Sequence, residues 1–509
     1  MPPHPALSGT ALRPVWQPIG LGIVLRLVQV WMPVLGVHSW RQADTAAMAR
    51  HFAVQGTPIW LPQIDWGGAN AGFVESEFPL YPFLVSRLYG LMGVQEWLGR
   101  GLSVFCSALT IWLVIRLGRR WFTPQIGWWA GLAFALAPLG VYYGRTFQAE
   151  ALLVLCAGGS LEAHSIFVER RKAWALILSW ICFTGAALIK VIPLLWLGLP
   201  LLLVQLTPSP RAKAESPQQI LRRLLRLTLN PWFWVYASTA LTVTSAWYVH
   251  AYQLGEASGL TFGFWGEDSD RSNIGLALNL SSWVNLAIRT GVRALVVTGV
   301  PLLMIGTIRS WRSGGGRIAL GGAIGMLICT AATMRSSTVH EYYQFPFLLF
   351  SSPLVGLGWQ TLQNKQQRWP TRILLSITLI ASISILSIDY WAVEKRHRSI
   401  WMPLAESIRK EIPSNALIVS VTDSDPTLLN LARKQGWMIP SRELTLDQLK
   451  KLKDDGASYL TGSLNWHNTY TPLKEAESDR IKHLIWMHNT SSANKKNKTY
   501  LIPIDDLIP

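Results

Sequence analysis

Acidic residues are scarce in this chain of 509 residues: 29 Asp and Glu stand against 46 Lys and Arg, and charged residues make up only 15%. With half of the chain hydrophobic and long apolar runs recurring, so little charge argues against a soluble multidomain enzyme. Cysteine is equally sparse. Cys106, Cys156, Cys182 and Cys329 lie inside apolar runs without close spacing, which leaves no disulfide framework or zinc site and reads as small buried hydrophobes. No Walker loop, HExxH or GxSxG pattern and no tandem repeat occurs.

Half of the chain is hydrophobic, with 26 Trp and 16 Phe. Apolar spans fall near 17–37, 100–117, 124–143, 149–168, 173–189, 191–206, 232–250, 291–308, 317–334, 343–361 and 372–389. Each is long enough to cross ~30 Å of hydrocarbon as a helix, so the expected fold is a polytopic α-helical membrane protein of about eleven transmembrane helices. The net charge of +17 sits between the spans. There it reports orientation and anionic lipid rather than nucleic acid. Basic clusters follow the even-numbered spans: Arg116, Arg119 and Arg120; Arg170, Arg171 and Lys172; Arg211, Lys213, Arg222, Arg223 and Arg226; Arg309, Arg312 and Arg317; Lys365, Arg368 and Arg372. The positive-inside rule then puts the N-terminus inside the cytoplasmic (plasma) membrane and the C-terminus outside. The first span is long for a signal-peptide core and lacks a small-residue cleavage site, so it is expected to persist as a signal anchor.

Two domains are expected. Residues 1–389 form the membrane domain, whose long outer loop, 38–99, carries "FPLYPFLVSRLYGLMG" as an amphipathic surface helix. Residues 390–509 read as a small extracytoplasmic α/β domain. There "ALIVSVTDSDPTLLNLARKQGW" gives strand, turn, helix and strand, "SRELTLDQLKKLKDDGASYLTG" gives helix then strand, and "SSANKKNKT" a solvated loop.

Acids and other polar groups concentrate at the outer ends of the spans. Asp44, in "HSWRQADTAAMARHF", follows Arg41 by one helical turn and Trp40 by four residues. Arg145 and Glu150 flank a sharp break in "GRTFQAEA", where an Arg145–Glu150 pair would close the turn; an unpaired Glu150 at a span mouth would be costly. Lys190 ends the fifth span, and Arg335, His340, Glu341, Tyr342 and Tyr343 precede the tenth. Glu75 and Glu77 precede the surface helix. Arg26 lies within the first span, where it snorkels, pairs within the bundle or reaches a phosphate.

Sugar transfer from a polyprenyl-phosphate donor employs every residue type in this set. The lipid tail needs a groove between helices, the phosphate needs cations, and an acceptor hydroxyl needs a base to take its proton. A carboxylate opposite the leaving group gives a single in-line displacement with inversion. A transporter would place ionisable groups near the membrane midplane in two similar halves. A scaffold would need no base at all. Both remain as rival readings, for lipid-linked envelope glycans.

"ESEFPLYPFLVSRLYGLMGVQEWLGRGLSVFCSALTIWLVIRLGRRWF", together with "GRTFQAEA", "LIKVIP", "AWYVHAYQ" and "HEYYQFPFL", resembles the glycosyltransferase family 39 and aminoarabinose-transferase-like group of GT-C enzymes in the order of its motifs over most of 15–390. The resemblance implies a membrane-embedded glycosyltransferase, a polyprenyl-phosphate sugar donor, and a glycan, lipid or protein acceptor. It also implies Asp44 as general base and Glu150 as second active-site acid. Arg41, Glu77, Arg145, Lys190, Arg335, His340 and Tyr343 are then the substrate-binding candidates. The family often shows an Asp-Glu pair in the first loop, whereas Ala43 precedes Asp44 and Thr45 follows it here. Glu77 stands where some relatives have a phosphate-contacting lysine, so Arg145, Arg335 or a divalent metal ion would compensate. In the last case Glu77, with His250 or His340, would be the metal ligand.

Overall fold

The computed structural model describes residues 13–207, 217–263, 274–364, 368–440, 443–463 and 499–508. The basic residues Arg211, Lys213 and Lys365, and all of the expected 491–499 loop except Thr499, lie outside this set.

Helices dominate. In chain order they are α1 (Trp16–Leu27), α2 (Ser39–Gln55), α3 (Leu80–Met92), α4 (Glu96–Trp121), α5 (Pro124–Leu136), α6 (Pro138–Tyr143), α7 (Glu150–Arg170) and α8 (Ala173–Ile189). Next come α9 (Pro193–Trp196), α10 (Gly198–Leu206), α11 (Pro217–Thr228), α12 (Pro231–Ser258), α13 (Ile274–Leu278), α14 (Leu280–Arg293) and α15 (Gly299–Ser310). The membrane-type region ends with α16 (Gly314–Ala332), α17 (Met334–Val339), α18 (Leu348–Asn364), α19 (Arg368–Ile385) and α20 (Ala392–Glu411). Many start where proline removes a donor the helix would leave unpaired anyway. Asn230 and Thr123 cap α12 and α5 in this way, their side chains accepting from Trp232 and Ile126 N–H just beyond Pro231 and Pro124.

Every expected apolar run contains helix, but several are interrupted. The 124–143 run splits at Ala137, where Pro138 opens a new helix. Pro193 and Gly198 divide 191–206, and left-handed Val296 (φ 56°) and Val297 (φ 59°) interrupt 291–308. The first run is helical only to Leu27 and turns at Gln29 (φ 60°). Among the described residues, four helices are long and apolar enough to cross a membrane: Glu96–Trp121, Glu150–Arg170, Gly314–Ala332 and the continuous Trp369–Glu411. Outward faces are apolar as lipid requires, with Trp232, Val235, Leu241 and Val249 exposed on α12 and Ile373, Ile377 and Ile380 on α19.

The core packs α4, α5, α7 and α18 together, with Trp129 and Trp359 stacked at 5.0 Å between α5 and α18. α15 meets α18 backbone to backbone. A Cβ on Gly306 would lie 1.9 Å from the Leu354 carbonyl oxygen, so only glycine permits the approach.

The C-terminal region builds a four-stranded sheet from β1 (Leu417–Val421), β2 (Gly436–Met438), β3 (Ala457–Ser463) and β4 (Thr499–Pro503), in the order β2-β1-β3-β4. β1 runs parallel to β2 and β3, and β3 antiparallel to β4. α21 (Thr427–Ala432) and α22 (Leu446–Asp454) are its crossovers. Asp425 opens α21 by accepting from Thr427 N–H at 2.7 Å. The sheet is docked on the first loop. Gly68 N–H donates to Gly436 carbonyl (2.8 Å), Gly436 N–H to Asp65 carbonyl (3.0 Å), and Asn430 to Glu96 (3.0 Å).

Candidate active site

α2 starts after His38, held in the left-handed region (φ 52°), and ends at Gly56 (φ 69°). Its helical spacing sends Arg41, Thr45 and Met48 to one face, into a narrow cleft of about 30 Å³. Glu77, from the turn before α3, enters the same cleft, as do Glu150 at the start of α7, Lys190 at the end of α8, and Phe262. Four chain segments thus bring two acids and two cations together.

The charges are paired across segments. Arg41 Nη2 meets Glu77 Oε2 at 2.5 Å, and Lys190 Nζ meets Glu150 Oε1 at 2.6 Å. Burial works against the Arg41 guanidinium, but Glu77 outweighs it and holds the group more firmly protonated than usual. Glu150 Oε2 is buried and has no hydrogen-bond partner among the described residues. An acid in the first turn of α7 also suits the positive end of the helix dipole.

Aromatic rings frame these pairs. Lys190 Nζ lies 4.5 Å from the Tyr342 ring centroid and 4.8 Å from that of Tyr343. His340 stacks on Tyr342 at 5.3 Å and approaches Trp40 at 5.4 Å. Arg41 sits 4.2 Å over Phe262. The short 3₁₀ segment Glu341–Phe347 holds both tyrosines in place, with Tyr143 donating to Glu341 Oε1 at 2.9 Å and Arg293 bridging Glu341 and Asp389. Thr45 lines the cleft although sequence reasoning did not single it out, and Tyr342, noted beside Tyr343 in the sequence, joins the ring frame. For Thr45 the signal was available, because it lies one turn after Arg41.

Other expected residues lie elsewhere. Asp44, one turn from Arg41, is not among the residues that line the cleft. It is 2% exposed, and its Oδ1 accepts from Trp66 Nε1 at 2.9 Å. Burial pushes its carboxyl well up; Trp66 and Arg41 pull it partly back, while Asp425 and Asp65 push it further up. Arg41 is committed to Glu77 rather than to an Asp44 ion pair. Arg145 is fully buried, and neither pairs with Glu150 nor reaches the cleft. It donates to Glu394 Oε2 (2.6 Å) while Arg100 takes Oε1 (3.1 Å), a triad that ties α20 to the bundle. Arg335 is exposed on α17, outside the cleft lining. Arg26 does not snorkel: it is fully buried and donates to the Gly22 and Gly140 carbonyl oxygens at 3.0 and 2.9 Å.

The expected metal ligands are not assembled. Glu77 is paired with Arg41, His250 Nε2 contacts the Trp60 carbonyl oxygen at 2.8 Å, and His340 lies in the ring stack. Among the described residues, no group of three or more His, Cys, Asp or Glu is disposed to hold a metal ion. The reason is electrostatic: a guanidinium already occupies the place beside Glu77 that a cation would take.

Residues 76–250 match the family described as dolichyl-phosphate-mannose-protein mannosyltransferase, a stretch that contains Glu77, Glu150 and Lys190. ArnT from Cupriavidus metallidurans, solved with undecaprenyl phosphate bound, superposes with a TM-score of 0.65 at 14% identity, over 97% of this chain and 99% of that one. The fold is that of the GT-C glycosyltransferases. Two further GT-C enzymes share it. The Archaeoglobus fulgidus oligosaccharyltransferase in complex with Zn and sulfate gives a TM-score of 0.52 at 13% identity, over 88% of this chain and 68% of that one. Mycobacterial arabinofuranosyltransferase AftD gives 0.50 at 14% identity, over 90% and 37%. No curated protein matches the chain. Arg41, Asp44 and the tyrosine pair lie outside the segment that matches the GT-C family.

Proposed function

We propose that the protein is an integral membrane glycosyltransferase that moves a sugar from a polyprenyl-phosphate donor to an acceptor hydroxyl, with inversion, at the outer face of the cytoplasmic membrane. The observation that carries this is the convergence of Arg41, Glu77, Glu150 and Lys190 in one cleft at helix ends. In this reading about eleven helical segments cross the bilayer, some of them broken. The N-terminus is inside, and the C-terminal sheet lies outside with the cleft. Membrane lipids surround the bundle.

Each cleft residue has a task. Lys190 and Arg41 hold the donor phosphate and stabilise the charge that builds on it as the glycosidic bond breaks. Glu150 Oε2, the carboxylate oxygen without a partner, accepts the acceptor's proton as its oxygen attacks the anomeric carbon. Tyr342, Tyr343 and His340 form a ring wall beside the sugar. Glu77 keeps Arg41 charged and extended. Asp44, which the family resemblance offered as base, faces Trp66 and has a carboxyl that burial favours protonated. It holds α2 in position instead.

The test uses purified protein, polyprenyl-phosphate sugars and a panel of hydroxyl acceptors. Glu150→Gln should lower kcat by 10²-fold or more with the fold intact, and the product anomer should be inverted by NMR. Wild-type turnover in Glu150→Gln would remove the base assignment. Absence of transfer from every polyprenyl donor would remove the reading as a whole.

A further inference from the structure

A second cavity lies at the opposite ends of α7 and α8 from the cleft. It encloses about 260 Å³ between α7, α8, α10, α11 and α12, lined chiefly by Phe167, Phe183, Leu201, Leu227, Phe233 and Tyr236. His164 also lines it. At ~1.5 Å per helical residue, His164 is ~21 Å along α7 from Glu150. Two of its polar groups are engaged with Ser179: His164 Nδ1 meets Ser179 Oγ at 3.3 Å, and the Tyr236 hydroxyl meets it at 3.0 Å. An apolar cavity larger than the ~150 Å³ that stays dry around one benzene suits a hydrocarbon chain, not water.

α11 forms the rim of this cavity. Its sequence, "PQQILRRLLRLT", has one strongly apolar and one strongly basic side. Leu227 turns into the cavity, Leu221 and Leu225 are exposed, and Arg222 and Arg226 are exposed one helical turn apart. A helix of this kind lies in the headgroup plane, where two guanidiniums one turn apart converge on one anion.

We infer that this cavity and α11 form a site for an anionic glycerophospholipid, with one acyl chain in the cavity and the phosphate on Arg222 and Arg226. The occupant is a membrane phospholipid rather than the sugar donor, because Lys190, a cation of the cleft, lies at the opposite end of α8 and Arg41 lies with it in the cleft. The site needs only that the chain sits in a bilayer, and does not depend on the transfer chemistry.

Native mass spectrometry of the purified full chain, titrated with phosphatidylglycerol or phosphatidylcholine, tests this. Wild type should retain phosphatidylglycerol preferentially. Arg222→Gln with Arg226→Gln should lower that retention at least fivefold, to the phosphatidylcholine level. Ala237→Trp, which fills the cavity, should lower retention of both lipids; if that variant does not fold, Leu201→Trp replaces it. Equal retention of the two lipids by wild type, or unchanged retention in the folded variants, overturns the proposal. So does a bound mass identified as polyprenyl phosphate, which would make the cavity part of the donor site. Failure of the transfer assay leaves the lipid result standing, so the two readings fail separately.

Discussion

Lys190 and Glu150 are joined across 40 residues of sequence by a 2.6 Å contact, and it uses only one of the two carboxylate oxygens. The contact therefore leaves open the oxygen that would take a proton.

Lys190→Met should expose that arrangement. Without the cation, the buried Glu150 carboxylate loses its ion-pair partner. Transfer should fall roughly 10²-fold in a folded variant. Steady-state kinetics on wild type and variant check this. A loss confined to the donor KM means that Lys190 acts on the donor alone.

Arg41 and Glu77 should behave as a coupled pair with one external task. Arg41→Met and Glu77→Gln, singly and together, should show a coupling of about 1–3 kcal/mol in thermal stability. Exchanging the two, Arg41→Glu with Glu77→Arg, should recover most of the stability but not donor affinity. The readout is a raised donor KM in a protein with near-normal Tm.

Asp44→Asn keeps an oxygen for the Trp66 indole and removes only the titratable proton. Transfer should stay within about threefold of wild type, since an amide accepts that hydrogen bond as a carboxyl does. A loss of 10²-fold or more in a folded variant would return the base role to Asp44.

Glu394→Gln should be among the most damaging single changes. It leaves Arg100 and Arg145, both fully buried, without their shared counter-charge, at about 3–5 kcal/mol. Thermal unfolding in detergent measures the loss.

Docking of the C-terminal sheet should depend on pH. Burial raises the Asp425 carboxyl to about 6 from the ordinary 3.8, although hydrogen bonds from Thr427 and Ser39 pull it partly down. The folded state then holds this proton more tightly than the unfolded chain. The contribution is complete below about pH 4 and is lost as pH rises through about 6. Asp425→Asn should flatten that slope while preserving the cap on α21. Limited proteolysis of the sheet across pH 4–8 checks it.

The apolar runs, the polar turns at their ends and the α/β character of 417–463 were legible because each is a local pattern. Hydrophobic length and periodicity set helices and strands, but the break of the 124–143 run at Pro138 was not read from them. The approach of Glu150, Lys190 and Tyr343 follows from a similar local pattern, because all three stand at the ends of apolar runs. Which of those polar groups meet was not legible. Arg145 lies five residues from Glu150, yet it is taken by Glu394, 249 residues away. Asp44 and Arg41, one helical turn apart, serve different partners, because α2 is held between the cleft and the docked sheet. Glu77, which the sequence also offered as a metal ligand, is paired with Arg41. The sequence alone determined a greasy helical bundle with its chemistry at one layer of helix ends. Only the tertiary structure decided the pairings, because a buried charge is matched to the nearest opposite charge in space, however far away it lies along the chain.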